Sequence, residues 1–458
     1  MVKYRKVYDN IIYRFAAVFA LISALAACEP SFDFHTDLDH GSMSPDRRQE
    51  YGGRDMNEES RNVLLLYSAG FNSLSTYLTE DIQDLLSGDL PTEGRMQDVL
   101  LVYSHLVEPG QSYSQPSSPM LMRVFRDVEG ELVKDTLVVY PSSTHSATAA
   151  QLNNVLTFVK ENYPAKTYGM IFSSHATGYL PAGYYSAPDD YVYAPSVSMM
   201  GGQRQSSPLA VPYVEPECDP SLPAVKSVGQ DVAGSYGNYL SYEIQIEDFA
   251  RAIPMYLDYI LFDTCLMGGI EVAYELAGKC GLVGFSQTEV LAEGFDYKSI
   301  PSHLLSGDEP DPEAVCMDYF EQYDVQSGLY RSATISLVDC TRLEPLAEIC
   351  AELFSKYADA IAALRPGLVQ RYYRYDCHWF YDLVDIVAKA GATEDELEAL
   401  NKAVEESMIY RAATPEFMGS FVIRTYSGFS MYLPCHGSAE LDKYYRTLKW
   451  NIATGLVQ

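Results

Sequence analysis

Apolar positions along the chain fall into short continuous runs parted by stretches of helical spacing. Asn62–Tyr67 reads Asn-Val-Leu-Leu-Leu-Tyr, which predicts a strand buried on both faces, with a loop at Ser68-Ala69-Gly70. Helical spacing follows over Thr76–Leu86, and Asp98–Tyr103 predicts a second buried strand. Leu121–Phe125 and Thr136–Tyr140, parted by Glu129-Gly130, predict a hairpin. Ser146–Asn162 predicts a helix with Ser146 as its cap. Tyr168–Phe172 predicts a strand that runs into Ser-Ser-His175, and Tyr259–Phe262 one that runs into Asp-Thr-Cys265. Gly268–Lys279 is helical in spacing, and Leu282–Phe285 and Ala333–Val338 predict further strands. Buried runs alternating with helices imply a mainly parallel sheet covered on both faces.

Residues 176–240 break this alternation; they are rich in Tyr, Pro, Ser and Gly and carry few strand or helix signals. A loop of that length in a compact domain is usually functional or flexible. From 341 the pattern turns helical over Leu343–Leu364, becomes less regular, and closes on Ser430-Met-Tyr-Leu-Pro434. This predicts a core over 57–340 and a C-terminal elaboration over 341–458.

The first residues are an address. Lys3, Arg5, Lys6 and Arg14 precede an apolar run, Phe15–Ala27, that has the length of a signal-peptide core and is too short to span a bilayer. It ends in Leu25-Ala26-Ala27-Cys28, which resembles a bacterial lipobox. That resemblance implies removal of 1–27, acylation of Cys28, and a polar, acidic tether over 28–56. The chain would then sit outside the cytoplasm, anchored by lipid to a bacterial membrane, with the outer membrane the expected one, facing the periplasm or the surface.

Charge narrows the function. With 62 acidic and 32 basic residues the 458-residue chain has a formal net charge of -30, which argues against nucleic-acid binding. None of the nine cysteines forms a CxxC pair, so zinc-ribbon and thioredoxin chemistry lack support. Most of the thiols read as small buried hydrophobes. No HExxH, GxSxG, phosphate-loop or dinucleotide motif appears.

His175 and Cys265 each follow the carboxyl end of a predicted strand, the edge at which open α/β sheets bind ligands. A thiol and an imidazole brought to that edge could form a nucleophile and its acid–base partner. The surrounding words are specific. Ile171-Phe-Ser-Ser-His175-Ala-Thr-Gly178 resembles the histidine motif of the clostripain family of cysteine peptidases, and Phe262-Asp-Thr-Cys265-Leu-Met-Gly-Gly-Ile-Glu-Val-Ala-Tyr-Glu-Leu276 resembles its cysteine motif closely. Val283–Glu289, Tyr381–Asp385 and Phe429–Pro434 fit as well, and Leu66–Leu74 is a looser match.

The resemblance implies a caspase-like α/β/α sandwich and an endopeptidase that cleaves after Arg, sometimes Lys. It implies Cys265 as nucleophile, His175 as acid–base group, and the backbone N–H groups of Cys265 and Ala176 as oxyanion donors. It also implies that Asp263 lines the S1 pocket; on an extended segment Asp263 and Cys265 face the same side. Glu293 is the expected second acid. Several members of the family are zymogens cut between the two motifs, so autocleavage is expected after Arg204 or, second, Lys226. No redox cofactor is required, and calcium enters only by family analogy as a structural ion. The family usually has Gly where this chain has Ala176; a family glycine at positive φ would leave Ala176 strained. A second reading follows from that departure, a catalytically inactive surface binding protein on the same fold.

Overall fold

The structure is a computed structural model that describes residues 60–93, 97–193, 199–200, 203–204, 209–212, 221–226, 231–235, 238–375 and 379–458. The expected leader, the tether and Cys28 lie outside the described residues. Nine strands form one sheet: β1 (Ser60–Gly70), β2 (Asp98–Leu106), β3 (Met120–Arg126), β4 (Leu132–Val139), β5 (Ala165–Ser173), β6 (Leu257–Asp263), β7 (Cys280–Phe285), β8 (Thr334–Asp339) and β9 (Met408–Ala413), in the order β9-β8-β7-β6-β5-β1-β2-β3-β4.

The middle five, β7-β6-β5-β1-β2, are parallel, and antiparallel pairs close both flanks. Only the parallel strands read as unbroken apolar runs, because helices cover both of their faces. Edge strand β4 alternates exposed and half-buried positions and carries Lys134 and Asp135, which guard an edge against further pairing.

Helices pack in two sets. α1 (Ser75–Ser87), α5 (Ile300–Leu305) and α6 (Pro312–Asp324) cover one face. α2 (Ala149–Asn162), α3 (Ile246–Ala252), α4 (Ile270–Leu276), α7 (Glu344–Lys356), α8 (Glu394–Ser407) and α9 (Lys449–Thr454) form the other set. The fold is thus the α/β/α sandwich that the resemblance implied. Tyr67, Tyr103, Phe172 and Phe262 step across β1, β2, β5 and β6 as a ladder of ring contacts, with Tyr67 and Tyr103 stacked at 4.3 Å.

Three details differ from the sequence reading. The cap of α2 is Thr148, whose side chain accepts from Gln151 N at 3.2 Å; Ser146 instead bonds Tyr103 and His105. The chain after 340 is not merely laid on the core, since it supplies edge strand β9. The long 176–240 loop holds a three-stranded sheet of Leu209–Pro212, Asn238–Glu243 and Asp231–Ser235.

Candidate active site

Adjacent parallel strands β5 and β6 pair in register, Phe262 with Phe172 and Asp263 with Ser173. Two residues beyond that last pair lie Cys265 and His175, so the register brings both to the same edge of the sheet. The chain then turns sharply: Leu266 has φ 62°, an uncommon conformation for a side chain of that size. Hydrogen bonds from Leu266 N to Thr288 O (2.9 Å) and Gly268 N to Ser286 O (2.7 Å) hold the turn. Opposite it, Gly178 has φ 63°, and a Cβ there would come within 2.5 Å of Leu266 O. The left-handed residue of the histidine loop is therefore Gly178. Ala176 is not in the positive-φ region, so its methyl group costs no backbone strain.

His175 is buried, and its Nε2 lies 3.0 Å from Ser73 Oγ. Ser73 sits in a turn tied by Asn72, which donates to Ala69 O (3.1 Å) and accepts from Leu74 N (2.9 Å). Ser174 donates to the same Ala69 carbonyl at 2.7 Å, joining the turn to the histidine loop. Nδ1 of His175 is buried and hydrogen-bonds to nothing among the described residues. Burial pushes the imidazole down to about 3; the main-chain carbonyl of Lys226 beside the ring opposes that shift, and the Lys226 ammonium adds to it. Cys265 is fully buried, and its Sγ accepts from Val290 N at 3.1 Å.

A segment of the long loop occupies the site. Residues 224–226 lie antiparallel to 290–292: Lys226 N donates to Val290 O (2.8 Å), Ala292 N donates to Ala224 O (2.9 Å), and Val225 bridges Leu291. The Lys226 side chain, 0% exposed, enters a pocket floored by acids. Its ammonium donates to Asp263 Oδ2, to Asp81 Oδ2 (3.1 Å) and to Ser173 Oγ (3.3 Å). Tyr297 OH (2.6 Å) and Ser173 Oγ (3.0 Å) both donate to Asp263 Oδ2. Burial works against the lysine charge, but Asp263 and Asp81 outweigh it and hold the ammonium above its ordinary range. Asp81 is raised to about 7, chiefly by burial; Lys226 counters this and Asp263 adds to it.

The expected second acid, Glu293, is exposed on the turn after Ala292. The carboxylate that joins Asp263 at Lys226 is Asp81, from α1. The neighbouring Glu289 is buried and ion-paired with Arg374, with Nε 2.8 Å from Oε2. Arg204 lies on a two-residue strand, Gln203–Arg204, and its side chain is outside the described residues. Sequence reasoning missed Asp81, Ser73, Val290 and Gly294. Asp81 reads as an ordinary polar position of an amphipathic helix, and only the fold brings it beside Asp263. Among the described residues no group of three or more His, Cys, Asp and Glu side chains is arranged to hold a metal ion.

Residues 66–188 and 219–454 match the Clostripain family (Peptidase_C11). Among solved structures, an inactive zymogen C11 protease from Parabacteroides distasonis is 24% identical, with TM-score 0.66 over 87% of this chain and 99% of that one. A secreted C11 cysteine protease from Bacteroides thetaiotaomicron, iotapain, is 21% identical, with TM-score 0.65 over 87% of this chain and 100% of that one. No curated protein matches the chain.

Proposed function

Because the chain belongs to the clostripain family of cysteine peptidases, we propose that it is an endopeptidase cleaving after basic residues, made as a zymogen and opened by its own cut after Lys226. The observation that carries this reading is the docked segment 224–226. It lies as a substrate would, with a basic side chain in an acidic pocket and its strand paired beside Cys265 and His175. Lys226 thereby takes precedence over Arg204 as the processing site.

In this reading His175 takes the proton of the Cys265 thiol as Sγ attacks the Lys226 carbonyl carbon. Backbone N–H groups of Cys265 and Ala176 hold the oxyanion. Collapse breaks the Lys226–Ser227 amide, and His175 delivers a proton to the leaving amine of Ser227. Water then adds to the thioester, giving up a proton to His175; collapse frees the acid, and His175 returns that proton to the departing Cys265 sulfur. A neutral imidazole suits the accepting role, and its low affinity for protons while the segment is docked keeps it neutral at every pH near 7. The leader and Cys28 add a lipid anchor outside the cytoplasm, and protein or peptide substrates carrying Lys or Arg are the partners.

The test is an incubation of the chain lacking residues 1–28, wild type beside Cys265→Ala, followed by intact mass measurement. Two fragments with a boundary after Lys226 are expected in wild type and none in Cys265→Ala. A single uncut species in both would sink the proposal.

A further inference from the structure

We infer that the pocket is built for lysine rather than arginine and that Asp81 sets this choice; the inference rests on the peptidase reading above. An ammonium carries three N–H donors around one point. The pocket supplies three acceptors around Lys226 Nζ: Asp81 Oδ2, Ser173 Oγ and Asp263 Oδ2. They come from three different elements, α1, β5 and β6. A guanidinium is planar and pairs best with both oxygens of one carboxylate side by side. Here each acid turns a single oxygen to a common centre, and Asp263 Oδ2 already receives Tyr297 and Ser173.

Depth points the same way. Gly294, at φ 63°, forms the floor: a Cβ there would lie 2.6 Å from Lys226 Nζ and from both Asp263 oxygens. Asp263 Oδ1 thus faces the glycine backbone and not open space. The side chain of arginine forks at the position of the lysine Nζ and puts two nitrogens one atom farther. Seating it requires Asp81 to move with its helix, or the Gly294 turn to open.

Two measurements test this. The first is the rate of self-cleavage in wild type and in Lys226→Arg, a change on the loop segment that leaves the pocket intact. The second is hydrolysis by the cut enzyme of fluorogenic Leu-Pro-Ala-Val-Lys and Leu-Pro-Ala-Val-Arg peptides, with Asp81→Asn alongside. Expected are self-cleavage at least about tenfold slower in Lys226→Arg and a kcat/KM at least about tenfold higher for the lysine peptide. In Asp81→Asn the lysine rate is expected to fall until the two peptides differ by less than about threefold. Equal or better cleavage at arginine in wild type overturns the lysine assignment and leaves the peptidase reading standing. An unchanged ratio in folded Asp81→Asn overturns the role of Asp81. Cleavage of neither peptide by wild type overturns both the inference and the reading beneath it. The wild-type comparisons need no change at Asp81, so a misfolded variant does not shelter the lysine assignment.

Discussion

At Ser73 one hydroxyl decides which nitrogen of His175 is left for the proposed reaction. Nε2 is engaged by Ser73 Oγ at 3.0 Å, and Nδ1 has no hydrogen bond among the described residues. Ser73 touches no reacting atom in the proposed mechanism, so it is a positioning residue. Ser73→Ala is expected to lower kcat for a lysine peptide about tenfold with KM unchanged, because ring orientation and not binding is lost. Ser73→Thr keeps the hydroxyl and should retain most of the activity; equal losses in both variants would instead indicate damage to the turn. Gly294 is the second telling position. Gly294→Ala adds a methyl group 2.6 Å from both Asp263 oxygens at a φ that disfavours any side chain. Hydrolysis of lysine peptides should drop by more than about a hundredfold, with the fold intact by circular dichroism; near-normal KM would show that the pocket lies elsewhere. Asp263 could be read from the sequence because alternation fixes its side relative to Cys265. Asp81 and Gly294 could not, because their roles arise only where α1 and the turn after β7 converge on that acid.

At the scale of elements, α4 is the link between the Cys265 turn and the C-terminal chain. Its Glu271 is fully buried, with Oε1 accepting from Tyr432 N (2.8 Å) and Tyr445 OH (2.7 Å) and Oε2 without a hydrogen-bond partner among the described residues. Burial raises this carboxyl to about 7, and hydrogen bonds from Tyr432 and Tyr445 offset only part of the shift. The folded state therefore holds a proton that the unfolded state releases near pH 4.5, so stability falls as pH rises from there to about 7. The loss attached to this one group is on the order of 3 kcal/mol. Glu271→Gln keeps an acceptor and removes the titration. Its melting temperature should vary less than that of wild type between pH 5 and 8, with the gap widest at pH 8; parallel curves would count against the assignment. The same scale shows why some strands could be read and others not. β1, β2, β5 and β6 lie between helices on both sides and spell continuous apolar runs. β9 spells Met-Ile-Tyr-Arg-Ala-Ala, half-buried at an edge, and resembles any irregular stretch. The strands at 209–243 are short and rich in small and polar residues, so pairing with each other, and not composition, makes them strands.

For the molecule as a whole, the long loop is fastened on both sides of the proposed cut. Upstream, residues 224–226 pair with 290–292 and Lys226 fills the pocket. Downstream, Asp231 accepts from Ser146 N and, at 3.1 Å, from Ala147 N, while Val232 N donates to Phe71 O at 2.9 Å. A tethered lysine of this kind competes at an effective concentration on the order of millimolar, far above that of an added ligand. Cutting after Lys226 would release the downstream anchor from the docked strand. Lys226 would then be held from one side only, with a new carboxylate placed in the buried site next to Cys265. Both changes favour its departure. A lysine acyloxymethyl ketone at micromolar concentration should therefore alkylate cut chains as they form and spare intact chains by a factor on the order of a hundred. A time course that resolves intact and cut chains and follows label in each would check it. Label rising in step with the cut species is the expected result. Label entering intact wild type as fast as the cut species would mean that the docked lysine does not guard the site, and that the loop has another purpose.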